Sequence, residues 1–279
     1  MTITKKTRAA YEVFLQEREK APATIQKYRQ ELAAFCDWLG GRPLTKAALI
    51  CWKEECVGKR SPASVNASIV AVNGFLKFRG MGELCLRPMK IQKPLFLDES
   101  RELTRAEYTR LVWAAKQAGN ERLSLVLQTI CATGIRVSEL RFITVEAVQT
   151  GRAELVNKGK RRVIFLPERL RKLLRRYCKA QKKPAGAVFT TRTGKPLDRS
   201  NIWRDMKVLC ESAGVDATKV FPHNLRHLFA RTFYALEKDL SRLADILGHS
   251  SVNTTRIYTA ESGAQHARLV GRLNLVLTT

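Results

Sequence analysis

Apolar residues recur every three or four positions through most of the first 80 residues, the spacing of one helix face. Between Pro22 and Leu39 they fall at Ile25, Tyr28, Leu32, Phe35 and Leu39. Gly40 and Gly41 stop that helix and Pro43 bars its continuation. A third helix is predicted over Leu44–Val57 and a fourth over Ser61–Phe78. The fourth has Ser61 as N-cap, Pro62 at the first helical position and a stripe of Val65, Ile69, Val72, Phe75 and Leu76. Four helices of this size can bury a small core.

The period fails between Gly80 and Ser100, where Gly80, Gly82, Pro88 and Pro94 stand among basic residues. A linker at 86–100 is predicted, between a helical domain, 1–85, and a second domain, 101–279. Thr104 followed by Glu107 is a capping box that opens the second domain. Two extended runs, Ala153–Asn157 and Arg162–Leu166, flank a Lys158–Gly159–Lys160 turn and predict a hairpin. Further helices are predicted at 168–182, 199–213, 223–237, 239–247 and 264–277. The last carries Leu269, Val270, Leu273, Val276 and Leu277 on one side, with Gly263 before it. The fold class is mainly α with a small β-sheet, α+β.

Charge changes the picture. The chain has 279 residues, with 50 Lys and Arg against 25 Asp and Glu, a net charge of +25. Residues 1–90 hold 16 basic and 8 acidic residues, so +8, and the remainder +17. Both segments are therefore basic throughout, and a polyanion is the leading partner. Two basic domains on a linker suggest a clamp around duplex DNA. The seven cysteines show no CxxC and no metal-ligand spacing, which suits reduced thiols in the cytoplasm. No secretory leader, membrane-length apolar run or Gly-rich phosphate loop is read, so neither a membrane nor ATP is implied.

Four short stretches carry possible chemistry: TGIRVSEL at 133–140, NKGKRR at 157–162, HNLRH at 223–227 and LGHSSVNTTRIY at 247–258. Singly, each has a plain structural explanation. Arg136 could pair with Glu139 at a helix start, Lys158 could be a turn lysine, and His223 could be a helix N-terminal residue. Arg226 could serve the surface, His249 a helix C-terminus, and Tyr258 the core. Together they form a metal-free phosphoryl-transfer set. Guanidinium forks match phosphodiester oxygens, a tyrosine hydroxyl can attack, a histidine can take its proton, and a lysine can protonate the leaving oxygen. Acidic clusters suited to two-metal catalysis are not seen.

The order Arg…Lys…His-x-x-Arg…His…Tyr, with LGHSS before the step to tyrosine, resembles the tyrosine recombinases, or phage integrases, including the Xer recombinases. The resemblance spans essentially the whole chain and is to two-domain members. It implies a site-specific recombinase that cleaves and rejoins DNA through a 3′-phosphotyrosyl intermediate, without cofactor or metal. By that resemblance Arg136 and Arg226 bind the scissile phosphate, Lys158 is the general acid, and His223 assists proton transfer. His249 hydrogen-bonds the phosphate, Tyr258 is the nucleophile, and Glu139 supports Arg136. The turn is shorter than the family's usual hairpin, so Lys160 stands as the alternative acid, and His227 is read as supporting. The resemblance also implies a monomer free in solution that forms a homotetramer on two DNA duplexes, with the 264–277 helix docked on a neighbour. A type IB topoisomerase and a catalytically silent DNA-binding regulator are the competing readings.

Overall fold

The computed structural model describes residues 3–92, 98–157, 160–258, 267–268 and 270–273. The chain divides into two compact units, Met1–Lys93 and Pro94–Thr279.

The first unit holds α1 (Lys5–Glu17), α2 (Pro22–Leu39), α3 (Lys46–Lys59) and α4 (Pro62–Phe78). Ser61 caps α4 as expected, with its side chain accepting from the Ser64 amide. The third helix starts two residues later than the apolar pattern suggests, because Thr45 caps it and Leu44 packs into the core ahead of the cap. Phe35, Leu49, Ile69, Phe75 and Leu76 are fully enclosed.

The start of the expected linker is pinned to this unit. Asn73 donates to the Leu86 carbonyl at 2.8 Å and accepts from the Leu86 amide at 2.9 Å. Asn66, seven residues earlier on the same helix face, does the same to Met89 at 2.9 and 2.7 Å. Each amide side chain thus replaces a strand partner for an otherwise unpaired backbone.

The second unit contains α5 (Arg105–Gln117), α6 (Glu121–Thr133), α7 (Val145–Thr150), β1 (Arg152–Asn157) and β2 (Lys160–Phe165). It continues with α8 (Glu168–Ala180), α9 (Arg199–Ala213), α10 (Pro222–Glu237), α11 (Leu240–Leu247) and α12 (Val252–Thr255). The Thr104–Glu107 capping box forms as read. Helix α6 is the central rod: it packs on α5, α8 and α10 and buries Leu123, Leu125, Val126, Leu127 and Ile130.

The two strands pair antiparallel, from Arg152 opposite Phe165 to Asn157 opposite Lys160. The second strand begins at Lys160 rather than Arg162, since pairing continues to Lys160 opposite Asn157. Alternation puts Ala153, Leu155 and Ile164 inward, while Val163 and Phe165 face out. Arg162, opposite Leu155, shares the inward face. Lys158 and most of the expected 264–277 helix lie outside the described residues. Of that helix, Val270 and Leu273 are described and exposed.

Candidate active site

Two left-handed glycines set the backbone of the site. Gly134 ends α6 at φ +63°, and Gly248 ends α11 at φ +64°. A β-carbon on Gly134 would lie 2.4 Å from a Phe229 ring carbon and 3.0 Å from Leu247. Gly134→Ala therefore combines a disfavoured φ with overpacking, and should destabilise the second unit by about 2–4 kcal/mol. Urea unfolding checks this; an unchanged midpoint would mean that the turn relaxes freely.

The turn after Gly134 delivers Arg136, whose backbone begins the 3-10 turn Val137–Phe142. Glu139 accepts from the Arg136 amide at 2.9 Å and from its guanidinium at 3.1 Å. Arg162 bonds the other side of the same carboxylate and donates to the Ile246 carbonyl at 2.6 Å. Burial acts to raise the Glu139 carboxyl, but the amide and the two arginines outweigh it and hold it below the usual range. Arg136 also reaches the Gly248 carbonyl at 3.2 Å. One buried carboxylate thus orients two guanidiniums.

Helix α10 presents His223, Arg226 and His227, spaced to share a face. Arg226 is 2% exposed. It donates to the Gly134 carbonyl, to the Leu247 carbonyl at 2.7 Å, and to His249 Nε2 at 3.0 Å. Among the described residues no carboxylate pairs with it. Burial draws its guanidinium down to about 10, helped by the charge of Arg136, while Tyr258 beside it opposes the shift.

The network assigns the His249 tautomer. Arg226 can only donate, so Nε2 accepts and Nδ1–H donates to Thr255 Oγ1 at 2.8 Å. Burial, then Arg226, Arg136 and Arg162, push His249 down to about 4. His223 keeps an open surface, yet desolvation with His227, Arg226, Arg136 and Arg199 around it also pushes it to about 4.

Tyr258 is 3% exposed in an apolar cluster with Ala230, Leu243 and Leu247. Its ring stacks near His249, with centroids 5.9 Å apart, and meets His227 edge-on at 4.8 Å. Arg136, His223, Arg226, His249 and Tyr258 therefore converge, although their codons are separated by up to 122 positions, from Arg136 to Tyr258. Arg162 was absent from the sequence-derived set. Its signal was the two-residue alternation with Ile164 and Leu166, both buried. The cluster Arg136, Arg162 and Arg226 holds three cations against the Glu139 carboxylate, and this excess suits a bound anion. Among the described residues no group of three or more His, Cys, Asp or Glu could hold a metal ion, and no helix is long and apolar enough to cross a membrane.

Comparison with known proteins gives a consistent picture. The phage integrase family matches residues 101–265. Tyrosine recombinase XerA of Pyrococcus furiosus is 29% identical over 276 residues, covering 95% of this chain and 93% of its own. Tyrosine recombinase XerD of Xanthomonas campestris pv. campestris is 31% identical over 278 residues, covering 87% of this chain and 83% of its own. A solved lambda integrase(75–356) dimer bound to a COC′ core site shares the fold, with a TM-score of 0.76 at 18% identity over 94% of this chain and 97% of that one.

Proposed function

Because the chain belongs to the phage integrase family and is a site-specific tyrosine recombinase, we propose that Tyr258 attacks a DNA phosphodiester held by Arg136 and Arg226. A 3′-phosphotyrosyl link forms and the 5′-oxygen leaves. Lys158 protonates that oxygen, with Lys160 as the alternative donor. His223 assists removal of the tyrosine proton, His249 hydrogen-bonds the phosphate, and Glu139 keeps Arg136 aimed. The phosphotyrosyl bond conserves the energy of the broken diester, so the 5′-hydroxyl of another strand can reverse it without ATP or metal. The recombinase relatives favour strand exchange over topoisomerase activity or silent DNA binding.

One observation carries this reading: a buried guanidinium with no carboxylate partner among the described residues, beside a buried tyrosine hydroxyl. A buried cation costs energy unless an anion meets it, and a phosphodiester fits the Arg136–Arg226 pair. The test is to trap cleavage on nicked DNA that loses its 5′-end fragment. A protein–DNA adduct mapping to the Tyr258 peptide is expected; an adduct elsewhere overturns the assignment.

Strand exchange on two duplexes calls for four active sites, hence a homotetramer of this chain on DNA built from head-to-tail contacts. The helix at 264–277 is the element we assign to those contacts, and the exposed Val270 and Leu273 support it. The free protein is monomeric. The helical domain at 1–85 and the catalytic domain at 101–279 both bind duplex DNA, consistent with their shared positive charge. The seven unpaired cysteines suit a cytoplasmic setting.

DNA binding should take up protons. In the free site His249 Nε2 is an acceptor and the ring, pushed to about 4, is neutral at pH 6. To donate to a phosphate, Nε2 must gain a proton, and the phosphate charge raises the ring's affinity for it. Binding of the specific DNA site should therefore tighten as pH falls from 7 towards 5. Calorimetry in two buffers of different ionisation heat should show proton uptake in wild type and less in His249→Asn. No uptake in wild type would mean that the ring meets the phosphate as its neutral Nε2–H tautomer, with Thr255 donating to Nδ1.

A further inference from the structure

Arg162 stands on β2 opposite Leu155, on the inward face of the hairpin, and its side chain is 13% exposed. Both ends of its fork are engaged by protein. One nitrogen pairs with Glu139 Oε2, and another donates to the Ile246 carbonyl at 2.6 Å. The rest of the side chain lies against Gly248, where a β-carbon would fall 2.8 Å from Arg162 Cδ and 3.2 Å from its Nε. Arg136 meets the same turn, donating to the Gly248 carbonyl at 3.2 Å. Gly248 precedes His249, so two arginines hold the backbone that delivers that ring.

The Glu139 side chain is 2% exposed and receives both guanidiniums, Arg136 on Oε1 and Arg162 on Oε2. The two cations differ in what else they can reach. Arg136 keeps 34% of its side chain exposed and can turn donors to a ligand, whereas Arg162 is enclosed. A buried carboxylate left to Arg136 would offset most of that arginine's charge. With Arg162 on its other oxygen, Glu139 is compensated from inside the protein, and the Arg136 charge remains for an anion. Burial draws the Arg162 guanidinium down and Glu139 opposes the shift, the mutual support of a buried pair. The Arg162 charge is also felt at Arg226 and at His249, helping to depress both.

We propose that Arg162 is a positioning residue for cleavage: it neutralises Glu139 in place of Arg136 and braces the Ile246–Gly248 turn, so that Arg136 and His249 meet the phosphate together. Arg162 touches no reacting atom; it acts through Glu139 and through the turn. Without it, Glu139 draws the Arg136 guanidinium inward and offsets its charge. The grip then weakens on a phosphodiester whose oxygens gain charge as the tyrosine attacks. This inference rests on Arg136 and Arg226 holding the scissile phosphate.

The test is single-turnover cleavage of nicked DNA at saturating protein, on two substrates. One carries an ordinary phosphodiester, the other a methylphosphonate, in which a methyl group replaces one non-bridging oxygen and removes the charge. Arg162→Gln should cleave the diester about 10²-fold more slowly than wild type, the scale of a misplaced reacting group. On the neutral methylphosphonate the gap should close to about threefold, since no phosphate charge awaits Arg136. Adding Glu139→Gln to Arg162→Gln should recover about tenfold on the diester, because the stranded carboxylate is gone. A packing role would show neither the substrate dependence nor the recovery. Arg162→Lys keeps a cation against Glu139 but cannot also span to Ile246. It should lose only about tenfold, and it takes over as the test should Arg162→Gln fold poorly. An Arg162→Gln enzyme at the wild-type rate overturns the proposal. So does an equal loss on both substrates, a double variant no faster than Arg162→Gln, or an Arg162→Lys as slow as Arg136→Ala. Arg136→Ala separates the two levels of the argument. If its defect persists undiminished on the methylphosphonate, the phosphate assignment fails and this inference with it. If that defect is relieved and the Arg162→Gln defect is not, the Arg162 role alone falls.

Discussion

Tyr258→Phe is expected to bind DNA like wild type and form no covalent adduct, a loss of roughly 10⁴-fold or more, in line with removal of a nucleophile. The substitution takes away one oxygen from a side chain that is 3% exposed. The ring keeps its packing on Ala230, Leu243 and Leu247 and its contacts with His227 and His249. Arg226 retains its two carbonyl acceptors and His249, so the phosphate-binding geometry survives. The expected readout is a denaturing gel with no shifted band, beside unchanged binding by fluorescence anisotropy. If a small residual reaction remains, it should appear as hydrolysed strand, with water as the attacking group. A covalent band from the Phe variant would hand the role to another hydroxyl.

Much of the architecture could be read from the chain because its local signals agree with its tertiary packing. The stripe Val65, Ile69, Val72, Phe75 and Leu76 marks a buried face, and all five side chains are in the core. Thr104 with Glu107 marks a helix start through bonds that span only three residues. The site residues Arg136, Arg226, His249 and Tyr258 were recognisable as a set of types in order, while each alone had a bland explanation. Tyr258 shows why: it satisfies both, lying in an apolar cluster and beside a buried guanidinium.

What could not be read depends on partners far away in sequence. Arg162 sits in a run of basic residues, where charge hides the alternation that turns it inward towards Glu139. Glu102 lies two residues past a stretch without any period, and its partners His227 and Arg231 are over 120 positions on. Asn66 and Asn73 break an uncharged helix for a reason visible only once Leu86 and Met89 return to meet them. In each case a polar side chain completes the bonding of a remote backbone or charge, and no local pattern encodes that.

Arg226→Ala should lower the cleavage rate by about 10²–10³-fold, the effect of removing one preorganised donor to a developing oxyanion. DNA affinity should fall far less, because many other cations contact the backbone. Stability separates this residue from an ordinary buried ion-pair member. Removing one partner of a buried pair normally strands the opposite charge, but Arg226 has no carboxylate to strand among the described residues. Its loss frees the Gly134 and Leu247 carbonyls, a penalty, and relieves an uncompensated buried cation, a gain. The melting temperature of the free protein should therefore move by only a few degrees, while the DNA-bound protein loses much more of its ligand-induced stabilisation. Without the Arg226 charge, His223 and His249 should both titrate higher, since it helps to depress each of them. Arg226→Lys should be nearly as slow as the alanine variant. An ammonium keeps the charge, but it lacks the planar fork that reaches two carbonyls and His249 at once while leaving a face for phosphate. Cleavage rates, melting with and without DNA, and histidine titration by NMR together decide the matter. A lysine variant that cleaves at the wild-type rate would show that charge alone suffices, and that the fork geometry around Gly134, Leu247 and His249 is not what organises the phosphate.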